Sequence, residues 1–155
     1  MGNFKEIEGD LIALAKKGKF MVITHGCNCF NTMGSGIAVP MKETFMVDKY
    51  ELEGPKYKGD YNKLGQIDGQ FNVKYGLDVV NSYTQYDYKR IPGVVNLDYQ
   101  ALAMCLKKLN KFYAGKHIGL PLIGAGLAGG DWDVIKSLIQ IYLIDMDVTV
   151  VHYKK

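Results

Sequence analysis

The chain contains 155 residues, of which 48% are hydrophobic and 23% are charged, a composition typical of a soluble globular protein. This length predicts one domain over residues 1–155 with a core of its own. The net charge of +3 is small and the basic residues are scattered, which argues against binding of polymeric nucleic acid, and no apolar stretch approaches the ~20 residues that cross a bilayer.

The cysteines and the amino terminus predict the compartment. The three cysteines, Cys27, Cys29 and Cys105, cannot all pair within one chain, as is typical of proteins in a reducing environment. The amino terminus lacks the charged, apolar and cleavage regions of a signal peptide. We therefore expect a cytoplasmic protein that is not associated with a membrane. We also expect it to be a monomer.

Strands and helices alternate in the first third of the chain. The predicted elements are a strand at 4–8, a helix at 11–18, a strand at 20–24 and a helix at 35–46. Asp10 and Ser35 stand where a side chain would cap the amino end of each helix. The strand at 20–24 is a continuous apolar run, as expected of a strand covered on both faces.

The rest of the chain continues this alternation, interrupted by one hairpin. A polar surface excursion is predicted at 49–63, followed by a hairpin at 64–75 that turns at Asp68-Gly69 and a strand at 77–83. A flexible loop rich in aromatic and basic residues is predicted at 86–95, before a helix that begins at Asn96 or Asp98. The last predicted elements are a strand at 117–122, a helix capped by Asp131 or Asp133 that ends at Ile144, and a strand at 148–153. Strands that alternate with helices form a mostly parallel sheet with helices on both faces. Ligands of such sheets bind at the carboxyl ends of the strands.

Two glycine-rich turns lie at these predicted strand ends. One, at 33–37, follows the strand at 20–24, and the other, at 122–127, follows the strand at 117–122. Glycines let backbone amides approach a ligand closely, and the amino end of a following helix favours phosphate. Neither turn has the Gly-Lys-Ser/Thr ending of a Walker loop or the third glycine of a dinucleotide fingerprint. The pair therefore predicts a clamp around a diphosphate.

Several polar residues near the turns allow both a structural and a functional interpretation. His25 is either a satisfied structural histidine or a general acid or base beside a bound phosphate or ribose. Asp10 is either a helix cap or a ligand group, and Asp131 is either a helix cap or a catalytic group. Asn28 either braces a turn or hydrogen-bonds ribose hydroxyls. Tyr83 and the Tyr86-Tyr88 pair are either core or surface aromatic residues, or they form the wall of a ribose or base site.

His25, Cys27 and Cys29 stand close enough in sequence to raise the question of zinc. The Cys-x-Cys spacing is tighter than in most zinc sites, and no second pair completes a tetrahedral set. Nothing in the sequence places a base and positive charge beside either thiol. We expect neither a metal site nor a nucleophilic cysteine, and no cofactor.

Four short segments follow one another in a recognisable order. They are 9–12, 24–29, 33–38 and 121–127, which read Gly-Asp-Leu-Ile, Thr-His-Gly-Cys-Asn-Cys, Met-Gly-Ser-Gly-Ile-Ala and Pro-Leu-Ile-Gly-Ala-Gly-Leu. Together they resemble the macrodomain family, with a similarity that runs over about residues 4–153. Within the family the chain looks most similar to the branch of the yeast-type ADP-ribose-1″-phosphate phosphatase and the terminal ADP-ribose protein glycohydrolase.

The resemblance implies an α/β fold, a three-layer α/β/α sandwich with a mixed, mostly parallel central sheet, which holds ADP-ribose across the strand ends. Asp10 would bind the adenine amine, and Leu11 or Ile12 would donate a backbone amide to the base. Asn28 would face the distal ribose. The other residues that the resemblance places in the ligand cleft are Thr24, Met33, Gly34, Ser35, Gly36, Ile37, Tyr83, Leu122, Ile123, Gly124, Ala125, Gly126 and Leu127.

Two positions depart from the glycohydrolase of this branch, which uses a lysine after the central strand and an acid beyond the second glycine turn. Gln85 and Ala128 stand at these positions. Lys89 comes several residues too late to be equivalent, and Asp131 is the nearest acid. A covalent intermediate on lysine is therefore not expected.

The expected function is a metal-independent hydrolase of ADP-ribose derivatives, above all ADP-ribose-1″-phosphate. His25, together with Asp131, would activate water or protonate the leaving group. Two alternatives stay open: removal of ADP-ribose from acidic side chains of proteins or from nucleic-acid ends, and binding of ADP-ribose without turnover. The expected partners are ADP-ribose or ADP-ribose-1″-phosphate and, for the first alternative, ADP-ribosylated proteins or nucleic-acid ends.

Overall fold

The strands and helices of the chain alternate in a computed structural model that describes residues 2–50 and 58–154. In chain order they are β1 (Phe4–Gly9), α1 (Leu11–Lys16), β2 (Val22–Asn28), α2 (Ala38–Phe45), β3 (Ile67–Asn72), β4 (Leu77–Gln85), α3 (Tyr99–Phe112), β5 (His117–Leu120), α4 (Trp132–Tyr142) and β6 (Asp147–Tyr153). Short 3₁₀ turns occupy Val47–Lys49 and Tyr61–Lys63. Of the surface excursion predicted at 49–63, residues 51–57 lie outside the described residues.

The strands form a six-stranded sheet in the order β1-β6-β5-β2-β4-β3. Every neighbouring pair from β1 to β4 is parallel, and only the edge strand β3 runs antiparallel to its neighbour β4. The predicted mixed, mostly parallel sheet of an α/β fold is therefore confirmed. Because β5, β2 and β4 are adjacent and parallel, the loops that leave their carboxyl ends meet at one edge of the sheet.

Two hydrophobic clusters cover the two faces of the sheet. Alternation along β2 sends Val22 to one cluster and Ile23 to the other, as expected for a strand buried on both faces. Helices α3 and α4 contribute to the cluster around Val22, and α1 and α2 contribute to the cluster around Ile23. Helices therefore lie on both sides of the sheet, which gives the three layers of the predicted sandwich.

The predicted positions of three local features were wrong. Helix α2 begins at Ala38 without a side-chain cap, so Ser35 lies in the preceding loop and does not cap the helix. The hairpin turns at 73–76, because Asp68 and Gly69 lie inside β3, paired with β4. Strand β2 continues to Asn28, four residues beyond its predicted end at 24. This last difference matters most, since it decides which side chains face the candidate site.

Acidic caps define where the two longest helices begin. Asp98, one of two predicted starts of α3, accepts a hydrogen bond from the backbone amide of Ala101 at 3.0 Å. Helix α4 follows Asp131 as predicted, and it ends at Tyr142, two residues before the predicted end. Within the described residues, none of the helices is long and apolar enough to cross a membrane.

Two isoleucines of α4 test the packing of this helix. Ile139 is 0% exposed and Ile141 is 61% exposed. Ile139→Ala should lower the free energy of unfolding by about 2–5 kcal/mol, since it leaves a cavity in the core. Ile141→Ala should change it by less than about 0.5 kcal/mol. Urea unfolding of both variants checks this, and equal losses would contradict the described orientation of α4.

Candidate functional site

A cleft of about 490 Å³ opens at the carboxyl ends of β2, β4 and β5. Three loops form its walls: the first glycine loop (29–37) after β2, the β4–α3 loop (86–98), and the second glycine loop (121–130) after β5. The cleft thus lies where ligands of mostly parallel sheets bind, and both predicted glycine turns contribute to it.

The three strand ends approach each other closely at Gly26 of β2. A Cβ atom placed on Gly26 would lie 2.8 Å from Thr84 Oγ1 on β4 and 3.4 Å from Ile123 Cγ1 in the second glycine loop. Any larger residue would push these neighbours apart. Gly26 therefore lets the floor of the cleft close.

The two glycine loops approach each other closely across the cleft. Gly36 has a φ of +62°, and a Cβ atom built on it would lie 3.3 Å from Leu127 Cδ1. Gly34 and Gly126 differ, because a Cβ atom on either would meet no described atom within 4 Å. The backbones at these two positions therefore face open space in the cleft.

Eleven of the residues predicted to bind the ligand line this cleft. They are Asn28, Met33, Gly34, Ser35, Gly36, Ile37, Leu122, Ile123, Gly124, Gly126 and Leu127. The predicted site residues that do not line it are His25, Asp131, Asp10, Leu11, Ile12, Thr24, Tyr83 and Ala125. The structure thus brings most of the clamp together and leaves both candidate catalytic residues outside its lining.

His25 is a buried residue of β2 and does not reach the cleft. Its side chain is 0% exposed, and its Nε2 donates to Asn81 Oδ1 at 2.7 Å. Burial lowers the pKa of His25 to about 4. The expectation that His25 acts on a ligand is therefore wrong. Strand β2 continues past His25, and the alternation of side chains along this strand turns the imidazole ring into the layer of α1 and α2.

The two candidate aspartates are helix caps. Asp10 Oδ1 accepts hydrogen bonds from the backbone amides of Ile12 and Ala13, at 3.0 and 3.1 Å. Asp131 Oδ1 accepts one from the amide of Asp133 at 2.9 Å. Both carboxylates are exposed and stand at the sheet edge that carries the cleft, but outside its lining. In each aspartate, Oδ1 is therefore used in capping a helix, as the structural interpretation predicted.

Thr24 and Tyr83 lie in the interior of the protein. The Thr24 hydroxyl donates to the carbonyl of Val80 at 2.9 Å, and the Tyr83 hydroxyl accepts from Asn31 Nδ2 at 3.1 Å. Both side chains are fully buried. Neither forms the wall of a ligand site, contrary to what the resemblance implied.

Asn28 braces the first glycine loop as well as lining the cleft. Its Oδ1 accepts from the amides of Phe30 and Thr32, at 3.0 and 3.1 Å, and its Nδ2 donates to the carbonyl of Thr32 at 2.9 Å. One N–H of the amide is left to reach a ligand. The brace is thus its main role in the structure.

Eleven further residues line the cleft. They are Gly26, Cys27, Thr32, Ala38, Thr84, Gln85, Tyr88, Arg90, Asn96, Pro121 and Ala128. The sequence had allowed Tyr88 as part of the wall of a ribose site, and it did not predict the others as ligand-binding residues. Within the described part of the chain, Thr84 Oγ1 is buried beneath the cleft and has no hydrogen-bond partner. The basic and aromatic composition of 86–95 was the signal for Tyr88 and Arg90, but sequence could not tell which face of the loop they occupy.

The cleft is electrostatically simple. Arg90 is the one charged residue among its lining residues, all of which are described. Cys27 also lines it, but burial raises the pKa of its thiol, which keeps the sulfur protonated. The lining thus offers one permanent cation and a set of neutral donors, without a side chain suited to general acid–base catalysis at neutral pH.

Sequence comparison relates the chain to two curated proteins. It is 36% identical, over an alignment of 160 residues, to the "Uncharacterized 17.5 kDa protein in tk-vs intergenic region" of Enterobacteria phage T4, and the match covers 97% of this chain and 96% of that protein. It is 27% identical over 142 residues to the ADP-ribose 1″-phosphate phosphatase of Candida albicans, covering 86% and 90% of the two chains. No protein-family model matches the chain.

Solved structures share the fold along the whole chain. A crystal structure of a Bacteroides thetaiotaomicron protein is 26% identical with a TM-score of 0.76, covering 97% of this chain and 99% of that one. The macrodomain of Thermus aquaticus DarG is 19% identical with a TM-score of 0.69, covering 100% of both chains. The chain has the macrodomain fold. Thermosipho africanus DarTG, solved in complex with ADP-ribose, is 18% identical with a TM-score of 0.72, covering 98% of this chain and 42% of that one.

In this macrodomain a buried polar network supports the first glycine loop from behind. Lys63 Nζ donates to Asn31 Oδ1 at 3.1 Å, and Asn31 in turn donates to the Tyr83 hydroxyl. All three side chains are buried, and burial lowers the pKa of Lys63. Asn31 has a φ of +54°, a conformation that this network holds in place. The network therefore fixes the direction in which the loop leaves β2.

The buried His25 makes the stability of the macrodomain depend on pH. Its pKa is lowered from 6.5 to about 4 in the folded chain, so the unfolded chain binds more protons between these values. The free energy of unfolding should fall by up to about 3 kcal/mol as the pH drops from 7 to 4. His25→Gln should remove this share of the pH dependence. Urea unfolding from pH 4.5 to 7.5 checks this, and equal slopes in both proteins would contradict it.

Proposed function

We propose that this macrodomain binds ADP-ribose derivatives in the cleft and hydrolyses the phosphate monoester of ADP-ribose-1″-phosphate. The observation that carries the proposal is the construction of the cleft: two glycine loops expose their backbone on opposite walls, and the one charged side chain in the lining is a cation. Such a lining suits an anionic ligand with several phosphate oxygens. The phosphatase activity named for the Candida albicans relative supports the choice of substrate.

The diphosphate would lie between the first and second glycine loops. Gly34 and Gly126 leave space for it, since no described atom lies within 4 Å of a Cβ built on either. Backbone amides can then donate to phosphate oxygens without a side chain between them. The complex of Thermosipho africanus DarTG with ADP-ribose, which shares the fold, supports this type of ligand.

The adenine would lie towards β1. Asp10 follows β1 at the same edge of the sheet, and its second carboxylate oxygen can accept a hydrogen bond from an exocyclic amine. From β1 to β4 there are four strand spacings of about 4.8 Å each, or roughly 19 Å. An extended ligand laid along this edge would reach from Asp10 to the β4–α3 loop, with its distal ribose at the β4 end.

The reaction would proceed by attack of water on the terminal phosphorus. The bond between phosphorus and the anomeric oxygen breaks, and the products are ADP-ribose, which keeps that oxygen and gains a proton, and inorganic phosphate. Phosphoryl transfer depends mainly on positioning and charge stabilisation, with little covalent chemistry for side chains to perform. A cleft lined by Arg90 and neutral donors, such as Thr84, fits this requirement.

A second candidate function is binding of ADP-ribose without turnover. The observation that favours it is the absence of a carboxylate, histidine or lysine from the lining of the cleft, whose residues are all described. The two functions share the same cleft and differ only in product formation.

A panel of substrates separates these functions. We expect phosphate release from ADP-ribose-1″-phosphate, together with binding of ADP-ribose in calorimetry. ADP-ribosylated proteins and ADP-ribosylated nucleic-acid ends, incubated in parallel, should stay intact, since Gln85 and Ala128 occupy the positions of the glycohydrolase lysine and acid. Binding without release of any product would support the second function, and release of ADP-ribose from a modified macromolecule would contradict both.

Two glycines of the second glycine loop separate binding from stability. Gly126→Ala should weaken ADP-ribose binding at least about tenfold, because the methyl group projects into the cleft, and should leave stability equal or higher. Gly124→Ala should instead lower the free energy of unfolding by more than about 1 kcal/mol, because Gly124 has a φ of +78° and a Cβ there would lie 2.9 Å from Leu97.

Calorimetry with ADP-ribose and urea unfolding of both variants measure the two effects. Unchanged affinity in Gly126→Ala, with the fold intact, would contradict a ligand that passes between the two glycine loops.

A further inference from the structure

We infer that Arg90 is the specificity-determining side chain of the cleft, and that it binds the terminal phosphate monoester at the distal ribose rather than the diphosphate. The inference rests on the proposed function, since it assumes that ADP-ribose derivatives occupy the cleft. Arg90 would distinguish a ligand with a phosphorylated distal ribose from one whose distal ribose carries no phosphate.

Arg90 lies at the β4 end of the cleft, away from the place proposed for the diphosphate. The two glycine loops follow β2 and β5, which are neighbours, so a diphosphate between these loops lies over those two strands. Arg90 belongs to the loop that follows β4, on the side of β2 away from β5. With the adenine towards β1, the next group beyond the diphosphate is the distal ribose, and Arg90 stands at that end of the cleft.

Hydrogen bonds within the β4–α3 loop hold the backbone around Arg90 in place. Asn96 Nδ2 donates to the carbonyl of Lys89 at 2.7 Å and closes the loop around Arg90. Asp87 Oδ1 accepts from the amides of Tyr88 and Lys89, at 2.7 and 3.2 Å. The backbone beside Arg90 is therefore restrained before any ligand binds, which reduces the entropy lost on binding.

The same loop is tied to both glycine loops. The backbone amide of Cys29 donates to the carbonyl of Tyr86 at 3.0 Å, and the amide of Asn96 donates to the carbonyl of Ala128 at 3.0 Å. The position of Arg90 relative to a bound diphosphate is thus set by hydrogen bonds between the three walls.

The guanidinium group of Arg90 suits a phosphate monoester. Arginine stays charged at all working pH values and offers a planar pair of donors that matches two oxygens of a phosphate. A phosphate monoester carries about −1.5 to −2 charges at pH 7 and gains more from this contact than a neutral ribose hydroxyl does. Among the described residues no carboxylate lies within 4.0 Å of the Arg90 guanidinium.

Lys89 is the matched control for Arg90. It is the preceding residue, it is exposed, and it carries the same charge, but it does not line the cleft. Lys89→Gln therefore changes the net charge as Arg90→Gln does, without removing a group from the site. Arg90→Lys is the second variant, which keeps the charge and removes the paired donors.

The experiment compares the affinities of the wild type and the three variants for two ligands. One ligand is ADP-ribose, and the other is a phosphonate analogue of ADP-ribose-1″-phosphate, which the protein cannot hydrolyse. The wild type should prefer the phosphonate at least about tenfold, in line with a charge-assisted pair of hydrogen bonds. Arg90→Gln should reduce the preference to less than about twofold with little change in ADP-ribose affinity, Arg90→Lys should retain part of it, and Lys89→Gln should retain it.

The outcomes distinguish this inference from the proposed function. Equal loss of affinity for both ligands in Arg90→Gln would place Arg90 on the diphosphate and overturn the inference alone. A full preference retained by Arg90→Gln, or the same loss in Lys89→Gln, would also overturn it. A wild type that binds neither ligand would overturn the proposed function itself.

Discussion

The cleft depends on the close contact of three strand ends around Gly26. Strand β2 lies between β4 and β5, and the missing side chain at Gly26 leaves room for Thr84 on one side and Ile123 on the other. The loops that leave these strands then approach each other closely, since a Cβ atom on Gly36 would lie 3.3 Å from Leu127 Cδ1. A larger residue at Gly26 would push apart Thr84 and Ile123, both of which line the cleft. The shape of the cleft therefore depends on how closely the backbones of these strands and loops approach each other, and the side chains of the lining depend on that shape.

The polar groups of the protein divide into two sets with different tasks. The buried set, which includes His25, Lys63 and Asn31, is hydrogen-bonded inside the protein and holds the strands and the first glycine loop in place. The set in the cleft is almost uncharged, with Arg90 as its one charged member. Burial also moves the pKa values of His25 and Cys27 in the directions that keep both groups neutral. One cation in a cleft that is otherwise lined by uncharged residues suits an anionic ligand better than acid–base chemistry.

The sequence predicted the fold, and the meeting of the two glycine turns at one cleft, because both depend on patterns along the chain. Apolar runs alternating with helical periods imply a mostly parallel sheet, and glycines after two of these runs imply exposed backbone at its edge. The prediction for His25 failed because the direction of its side chain depends on where strand β2 ends. Because β2 runs on to Asn28, His25 faces the core instead of the ligand, and its position next to a glycine turn could not reveal this. Arg90 was missed for a related reason, since the direction of a side chain in an irregular loop depends on contacts such as that between Asn96 and Lys89.

The central claim is that a diphosphate lies between the two glycine loops, and a crystal structure with ADP-ribose tests it most directly. We expect density for the diphosphate between 34–36 and 124–127, with backbone amides of both segments within hydrogen-bond distance of its oxygens and the distal ribose beside the β4–α3 loop. Ordered ADP-ribose at another surface, with the cleft free of it, would contradict the account.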